Sequence, residues 1–201
     1  YLCILNSDGR FKKVLFDENM IKSNRTFAIT KLKNNLETID SFISNENKDL
    51  IILTSIGRIF NFNLSNKFLT PASKQSQGLI LTKLLPTEKI VSCCTYYDGE
   101  NIFLISRKGK IFCINSNEIY SSNEYGLGYL NEKTQLKNDY FLKVLPSNHY
   151  VDIETNKNKS ARLDLNKLNY KSNKSNFLID FLKLDKDEYI ENCFRLENFL
   201  N

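Results

Sequence analysis

The sequence lacks the features that mark membrane and exported proteins. No stretch of its 201 residues approaches the roughly 18 consecutive apolar residues of a transmembrane helix. Its start, YLCILNSDGR, has neither the cationic flank nor the cleavage site of a signal peptide. We therefore expect a cytoplasmic protein. Because the chain begins within an apolar run at Tyr1 and not at a methionine, we also expect it to be part of a longer protein.

Motifs for metal binding and for catalysis are also missing. The five cysteines form no C-x-x-C pair, and His149 is the only histidine that could join them, so we predict no metal site. The cysteines are expected to be reduced and buried. No glycine-rich phosphate loop precedes a helix, and His149 has no clear partners for a hydrolytic triad. An independent enzyme is therefore the least favoured hypothesis.

What the sequence does contain is enough apolar material for a core and a small excess of positive charge. Hydrophobic residues make up 41% of the chain, which is sufficient for a folded domain of this length. The formal net charge is +5 at pH 7. Such an excess is compatible with an anionic partner but does not require one.

A repeated glycine hairpin organises the chain. The stretches CILNSDGRFKKVLF, IILTSIGRIFNFNL and IFLISRKGKIFCIN align on Gly9, Gly57 and Gly109, at intervals of 48 and 52 residues. In each, a basic residue and then an apolar residue follow the glycine. Glycine supplies the positive φ of a tight turn, and the flanking apolar runs predict two antiparallel strands. A weaker fourth copy, YVDIETNKNKSARLDLNKL, begins at Tyr150.

The second half of each unit repeats as well, as ITKLKNNLETIDSFI, LTKLLPTEKIVSCCT, KTQLKNDYFLKVL and IDFLKLDKDEYIENCF. Each copy has two apolar runs separated by a short polar turn, so each unit should contain about four strands. In the second unit, the third and fourth strands are predicted at Leu79 to Leu85 and Lys89 to Tyr97. The chain is thus one repeat domain, with units at approximately 1–48, 49–100, 101–148 and 149–201.

Small four-stranded sheets repeated at a fixed period predict an all-β fold of the β-propeller type, because radial stacking protects most strand edges. Propellers have about four to eight blades, so four units either close a ring or form an arc of a larger propeller. A single β-sandwich with coincidental spacing is the alternative. It is less favoured because the glycine, basic, apolar triplet recurs three times.

Basic residues concentrate at the first hairpin turn of each unit. If the units are blades, these residues recur on one side of the disc, where a curved band of cations suits a bent polyanion. The alternative is that they keep exposed turns soluble and discourage edge pairing. The residues in question are Arg10, Lys12, Lys13, Arg58, Arg107, Lys108, Lys110, Lys157, Lys159 and Arg162.

The repeats resemble the C-terminal domain of the A subunit of bacterial DNA gyrase and topoisomerase IV. The strongest matches are LIILTSIGRIFNFNLSNKF, GLILTKLLPTEKIVSC and NIFLISRKGKIFCINSNEI, and the resemblance extends over essentially the whole chain. It implies a β-pinwheel, a propeller variant in which neighbouring blades exchange strands, with DNA bound around its basic rim. It also implies a role in guiding and bending duplex DNA for ATP-dependent strand passage by a type IIA topoisomerase.

The resemblance further implies partners and cofactors that lie outside this segment. The partners would be double-stranded DNA, the remainder of the topoisomerase A subunit and the ATPase B subunit, in the nucleoid. The catalytic tyrosine and its metal ligands would lie elsewhere, so no catalytic residue and no cofactor is expected here. ATP and Mg²⁺ would be used by the rest of the enzyme.

One departure from the family concerns the basic box QRRGGKG, which gyrase needs for chiral wrapping of DNA. The closest stretch is ASKQSQG, Ala72 to Gly78, in which only Lys74 and Gly78 agree with the box. The equivalent stretch of the next unit, Ser122 to Gly128, has no basic residue. We therefore expect simple DNA bending, or a degenerate second copy, in place of negative supercoiling, and we add Lys74 to the candidate DNA contacts. The alternative function is a protein-interaction platform that binds no DNA.

Overall fold

The computed structural model of the chain describes residues 1–22, 26, 28–33, 35–130, 135–170, 177–180 and 182–196. These residues form an almost entirely β structure, which confirms the predicted fold class. Two short helices, α1 (Glu18–Lys22) and α2 (Leu165–Tyr170), and a 3-10 turn at Ser116–Glu118 accompany the strands. Neither described helix has the length or the apolar character to cross a membrane.

In chain order the described strands are β1 (Leu2–Asn6), β2 (Arg10–Val14), β3 (Thr38–Ile43), β4 (Asp49–Thr54), β5 (Arg58–Asn63), β6 (Leu79–Ile80), β7 (Ile90–Tyr96), β8 (Asn101–Ser106), β9 (Lys110–Asn115), β10 (Tyr129–Leu130), β11 (Phe141–Pro146), β12 (Tyr150–Thr155), β13 (Ser160–Asp164), β14 (Phe177–Asp180) and β15 (Ile190–Leu196). Strands β4, β5, β8 and β9 are buried along almost their whole length, and most of them are nearly continuous apolar runs, because both faces of their sheets are covered.

The described strands form four antiparallel sheets, one around each repeated hairpin. Their strand orders are β3-β1-β2-β6, β10-β5-β4-β7, β11-β8-β9-β14 and β13-β12-β15. The turn glycines Gly9, Gly57 and Gly109 have φ values of +84°, +90° and +78°, a left-handed conformation that favours glycine. In the fourth hairpin Asn158 takes this place at +58°.

The outermost strand of each of the first three sheets comes from the following repeat unit. β6 pairs with β2, β10 with β5, and β14 with β9. The prediction of a strand at Leu79 to Leu85 in the second sheet was therefore wrong: the strand is two residues long and lies in the first sheet, where Leu79 packs against the core. The predicted fourth strand, β7, does lie in the second sheet. This exchange agrees with the arrangement that the resemblance implies.

Three apolar clusters join the sheets in sequence. The first, around Phe11 and Phe60, lies between the first and second sheets. The second, around Ile59 and Phe112, joins the second and third, and another joins the third and fourth. Among the described residues, none of these clusters contains side chains from both the first and the fourth sheet. The apolar packing therefore connects the four sheets one after another, from the first to the fourth. All five cysteines are free and four are buried, as predicted.

The innermost strands β3, β7, β11 and β15 approach a common axis. β7 packs against β3 on one side and β11 on the other, and β11 also contacts β15. Across the axis, the Asp40 carboxylate of the first sheet lies 3.8 Å from the Lys143 ammonium of the third. Because the inner strands converge, the exchanged strands and the loops before them lie on the outer rim.

Candidate nucleic-acid interface

Each sheet presents two adjacent turns at the same edge. One is the hairpin turn between its first two strands, and the other is the polar turn before its innermost strand. In every unit the amide of a hairpin-turn residue donates to a carbonyl of the polar turn, over 2.8 to 3.1 Å. The pairs are Ser7 with Glu37, Ser55 with Lys89, Arg107 with Tyr140, and Asn156 with Tyr189. The four basic turns therefore share one backbone frame and differ in side-chain chemistry.

The basic residue after the turn holds an equivalent place in each sheet. Arg10, Arg58 and Lys110 are the first residues of β2, β5 and β9. Lys159 corresponds to them, because its amide donates to the Thr155 hydroxyl just as the amides of Arg58 and Lys110 donate to a hydroxyl four residues earlier. The aligned sequence positions are thus aligned in space.

In the second sheet, Arg58 is buried and its guanidinium donates four hydrogen bonds. Its guanidinium holds the Glu88 carboxylate through Nε, at 2.7 Å, and through Nη2. It also donates to the carbonyls of Lys83 and Leu127. Burial alone raises the pKa of Glu88, but the hydrogen bonds from Arg58 and the surrounding turn outweigh it, so the net pKa is lowered. Arg58 is only 7% exposed, and its hydrogen bonds link three chain segments: its own hairpin, the polar turn that contains Lys83 and Glu88, and the loop at Leu127.

In the fourth sheet a glutamate at the same place holds Lys159. Glu88 and Glu188 each lie one residue before the carbonyl that bonds the hairpin turn. Glu188 accepts from Lys159 at 3.0 Å, and Asp185 accepts from it at 2.8 Å. The hydrogen bonds from the Asp185 amide and from Lys159 lower the pKa of Glu188 to about 2. Lys159 is exposed, but its charge is neutralised by two carboxylates.

In the third sheet this place holds Asp139, which is one methylene shorter. Its carboxylate accepts from the backbone amides of Lys108 and Tyr140, at 3.1 and 2.8 Å, and makes no bond to Lys110. No carboxylate whose side chain the structure describes pairs with Lys108 or Lys110; Asp180 stands opposite Lys110 in the pairing of β14 with β9, and its side chain lies outside the described part. Arg107 stacks its guanidinium over the Tyr189 ring, 3.6 Å from the centroid.

These cations border a groove of about 840 Å³ between the turns of the third and fourth sheets. Leu182 closes its floor, so tightly that a Cβ on Gly109 would lie 3.1 Å from the Leu182 Cβ. Lys108 is exposed, and Arg107 and Lys110 are half-buried. The third sheet therefore presents three cations that form no salt bridge with any described carboxylate side chain, on a groove that Asp139, Asp185, Asp187 and Glu188 also line. Unpaired cations of this kind attract phosphate.

In the first sheet the equivalent of the glutamate is Leu36, and Arg10 pairs at 2.9 Å with Asp8 of its own turn. Lys12 and Lys13 of the same strand are both buried, on opposite faces of the sheet. Lys12 is 2% exposed and donates to three backbone carbonyls. Lys13 is 3% exposed and donates to Glu46 and to the Leu64 carbonyl.

The structure thus sorts the predicted cations by their partners. Burial and multiple hydrogen bonds to protein acceptors give Lys12, Lys13 and Arg58 a structural role, which the sequence pattern did not reveal. Carboxylates neutralise three others at the surface, Arg10, Lys159 and Arg162, the last through a bidentate pair with Asp152. Lys157 donates to a neighbouring carbonyl, and Lys74 is exposed on the rim loop. Among the described side chains, Arg107, Lys108 and Lys110 of the third sheet and Lys157 of the fourth form no salt bridge with a carboxylate.

Sequence reasoning missed the exposed lysines of the polar turns. The backbone frame brings these turns next to the hairpin turns, so their charges add to the same edge. The second-half repeat contained the signal, because a lysine occurs in or beside the polar turn of each copy. The missed residues are Lys83, Lys89, Lys137, Lys183 and Lys186.

Comparison with known proteins identifies a relative by sequence. Over 139 residues the chain is 27% identical to the A subunit of DNA gyrase from Borreliella burgdorferi. The match covers 68% of this chain, and it spans 16% of the length of the gyrase polypeptide. No protein-family profile matches the chain.

Solved structures give the architecture. The C-terminal domain of DNA topoisomerase IV matches 98% of this chain and 62% of its own, with a TM-score of 0.77 at 17% identity. The chain has the fold of this domain. The DNA gyrase A C-terminal domain matches 98% of this chain and 82% of its own, with a TM-score of 0.60 at 17% identity. The E. coli ParC C-terminal domain matches 97% and 78%, with a TM-score of 0.61 at 13% identity. The β-pinwheel and the resemblance to gyrase and topoisomerase IV are confirmed.

Proposed function

We propose that this β-pinwheel binds and bends double-stranded DNA as the C-terminal domain of a type IIA topoisomerase A subunit. The observation that supports the proposal is the cation cluster Arg107, Lys108 and Lys110, which lies on a shared turn frame and forms no salt bridge with a carboxylate whose side chain the structure describes. Neutralising phosphates with such cations releases counterions, and this release is the main source of sequence-independent affinity for DNA.

DNA would cross the edge that carries the turns. Its phosphates would meet Lys108 and Lys110 first, then the exposed lysines of the neighbouring polar turns, such as Lys83 and Lys183. Lys74 would extend the path onto the outer rim. Since these cations contact phosphates and not base edges, we expect little sequence preference. Because the loop Ala72 to Gly78 holds a single basic residue, we propose bending without gyrase-like negative supercoiling.

The wider assembly follows from the relatives and is part of the same proposal. The domain would work with the remainder of the A subunit and with an ATPase B subunit, on the nucleoid DNA of the cytoplasm. ATP and Mg²⁺ would act in those other parts. The role of this domain would be to present a curved duplex segment for strand passage.

The proposal is tested by neutralising cations with and without acidic partners. Lys108→Gln together with Lys110→Gln should weaken binding to a long duplex about 60-fold at about 0.1 M salt, since each lost phosphate contact costs about eightfold. The slope of log affinity against log salt should fall by about two. Gel-shift titrations at several salt concentrations measure both quantities.

The matched control is Lys159→Gln together with Arg162→Gln, which changes the net charge equally but removes cations that are already paired. We expect affinity within about threefold of the original protein. Equal losses in the two double variants would show that only net charge matters. An original protein with no affinity for duplex DNA at low salt would refute the function.

A protein-interaction platform is the second candidate, favoured by one apolar patch on the rim of the second sheet. Tyr120, Tyr125 and Leu127 are 70%, 55% and 63% exposed, and the Tyr120 and Tyr129 rings pack edge to face at 5.2 Å. If this patch is the functional site, Tyr125→Ser with Leu127→Ser should abolish capture of the topoisomerase subunits. The same change should leave DNA affinity unaltered.

A further inference from the structure

The buried lysine of β2 is fastened to two separate linkers. The Lys12 ammonium donates to the carbonyls of Ile29, Lys74 and Ser76, at 2.5, 2.7 and 2.9 Å. An ammonium has three N–H donors, and here each has an acceptor. Lys12 therefore lies in a complete cradle of backbone oxygens, two of which belong to the rim loop Ala72 to Gly78.

The position of Lys12 has a different residue in the two sheets that follow. Two residues after the basic residue of the hairpin, the second and third sheets have Phe60 and Phe112, and both pack into an apolar cluster against the preceding sheet. No described apolar cluster covers this position of the first sheet. A lysine at this position donates hydrogen bonds to the backbone carbonyls of two linkers, which phenylalanine cannot do because its side chain has no donor.

The rim loop is also held at its ends. The Ala72 amide donates to the Lys13 carbonyl at 2.7 Å. At the other end Gly78 has a φ of +82°, and a Cβ there would lie 2.6 Å from the Phe11 carbonyl oxygen. The loop thus follows the backbone of β2 closely, and Lys12 fixes its middle, where Lys74 lies with its side chain exposed.

We infer that Lys12 is a positioning residue for the DNA contact of the first sheet. By holding the carbonyls on both sides of Gln75, it fixes the loop so that Lys74 stays on the rim beside the turns. Lys12 itself touches no ligand. This inference rests on the proposed DNA-binding function, and it assigns the loop's contribution to a buried residue twelve positions into the chain.

Trypsin tests the fastening without DNA. Lys67 and Lys74 are both exposed, but Lys12 holds the carbonyl of the bond that trypsin cleaves after Lys74. Cleavage after Lys74 should be slow relative to Lys67 in the original protein. In Lys12→Met it should accelerate about tenfold or more, because the loop opens locally. Lys13→Met, which removes the neighbouring buried ammonium, should leave cleavage after Lys74 unchanged.

Binding to a long duplex tests the consequence. Lys12→Met should weaken affinity about five- to tenfold at about 0.1 M salt, the loss expected for one phosphate contact. Lys74→Met should weaken it equally, and the double variant should show no further loss, since both changes remove the same contact. Lys13→Met should bind as the original protein does. A general loss of stability would not produce this non-additivity.

The two proposals fail in different ways. If the original protein binds no duplex, the function fails, while the trypsin pattern still reports the fastening of the loop. If Lys12→Met frees the loop but leaves affinity unchanged, or if its effect adds to that of Lys74→Met, the inference is overturned and the function stands. Should Lys12→Met not fold, Lys12→Gln replaces it. Rapid cleavage after Lys74 in the original protein would by itself overturn the inference.

Discussion

The turns of the second and third sheets have the same backbone frame and a similar sequence, yet their cations have different roles. Arg58 is buried against Glu88, which follows it by 30 residues, and clips neighbouring units together. Lys110 pairs with no carboxylate among the described side chains, because Asp139 is one methylene shorter and accepts hydrogen bonds from backbone amides. The comparison shows that a carboxylate distant in sequence determines the role of the basic residue after the turn glycine. With the carboxylate in reach, the residue forms a structural ion pair; without it, the residue is available to contact a ligand.

The largest effect should come from removing the carboxylate of the ion pair between Arg58 and Glu88. Glu88→Ala leaves the buried Arg58 charge without its carboxylate, with only backbone carbonyls as acceptors, which costs about 3–5 kcal/mol of unfolding free energy. Asp139→Ala, the equivalent change in the third sheet, loses two hydrogen bonds and should cost about 1–2 kcal/mol. Urea denaturation measures both. Equal losses of unfolding free energy in the two variants would mean that the ion pair between Glu88 and Arg58 does not stabilise the fold.

Lengthening the carboxylate side chain at position 139 should turn Lys110 from a DNA contact into a member of an intramolecular ion pair. Asp139→Glu lets the carboxylate reach Lys110, as Glu188 reaches Lys159 in the fourth sheet. Duplex affinity should then fall up to about eightfold, and the salt slope by about one. Asp139→Gln has the same length without the charge and should keep the original affinity. If both variants bind alike, neutralisation of Lys110 is not the cause.

The smallest effect concerns acid stability in the fourth sheet. The pKa of Glu188 is about 2 in the folded protein, below its ordinary value of 4.5. Because the unfolded chain takes up the proton first as pH falls, the stabilisation is complete above about pH 4.5 and is lost towards pH 2. Glu188→Gln, which cannot titrate, should therefore lose less stability than the original protein between about pH 5 and pH 2.5.

Urea midpoints across this pH range provide the measurement. Glu191→Gln, at an exposed position of β15, is the matched control and should follow the acid sensitivity of the original protein. A Glu188→Gln curve parallel to that of the original protein would contradict the assigned pairing with Lys159.

Local signals in the sequence were enough to predict the hairpins and their turns. Gly9, Gly57 and Gly109 each occupy the positive-φ position that the pattern required. The exchange of β6 could not be read from periodicity, because Leu79 and Ile80 look equally apolar in either sheet. Their partner is chosen by packing against Phe11, which is a tertiary contact.

The charge pattern predicted an edge of cations but not their availability. Arg58 and Lys110 are indistinguishable in the aligned turns, and the residue that separates them lies about thirty positions later in a different turn. Lys12 shows the same limit: an alternating strand predicts which side it faces, while the carbonyls that receive its ammonium belong to linkers with no repeated sequence. The role of the remaining cations in DNA binding stays a prediction.

Because each repeat unit after the first supplies the outermost strand of the preceding sheet, none of these units can be removed without also removing a strand from its neighbour. A gene fragment that stops near residue 148 would lose the fourth sheet and would also strip β14 from the third, leaving β9 with a bare edge. Duplication or loss of a blade during evolution must therefore preserve the overlap between neighbours. The number of blades in such a protein can therefore change only if each outermost strand still finds a sheet of a neighbouring unit to pair with.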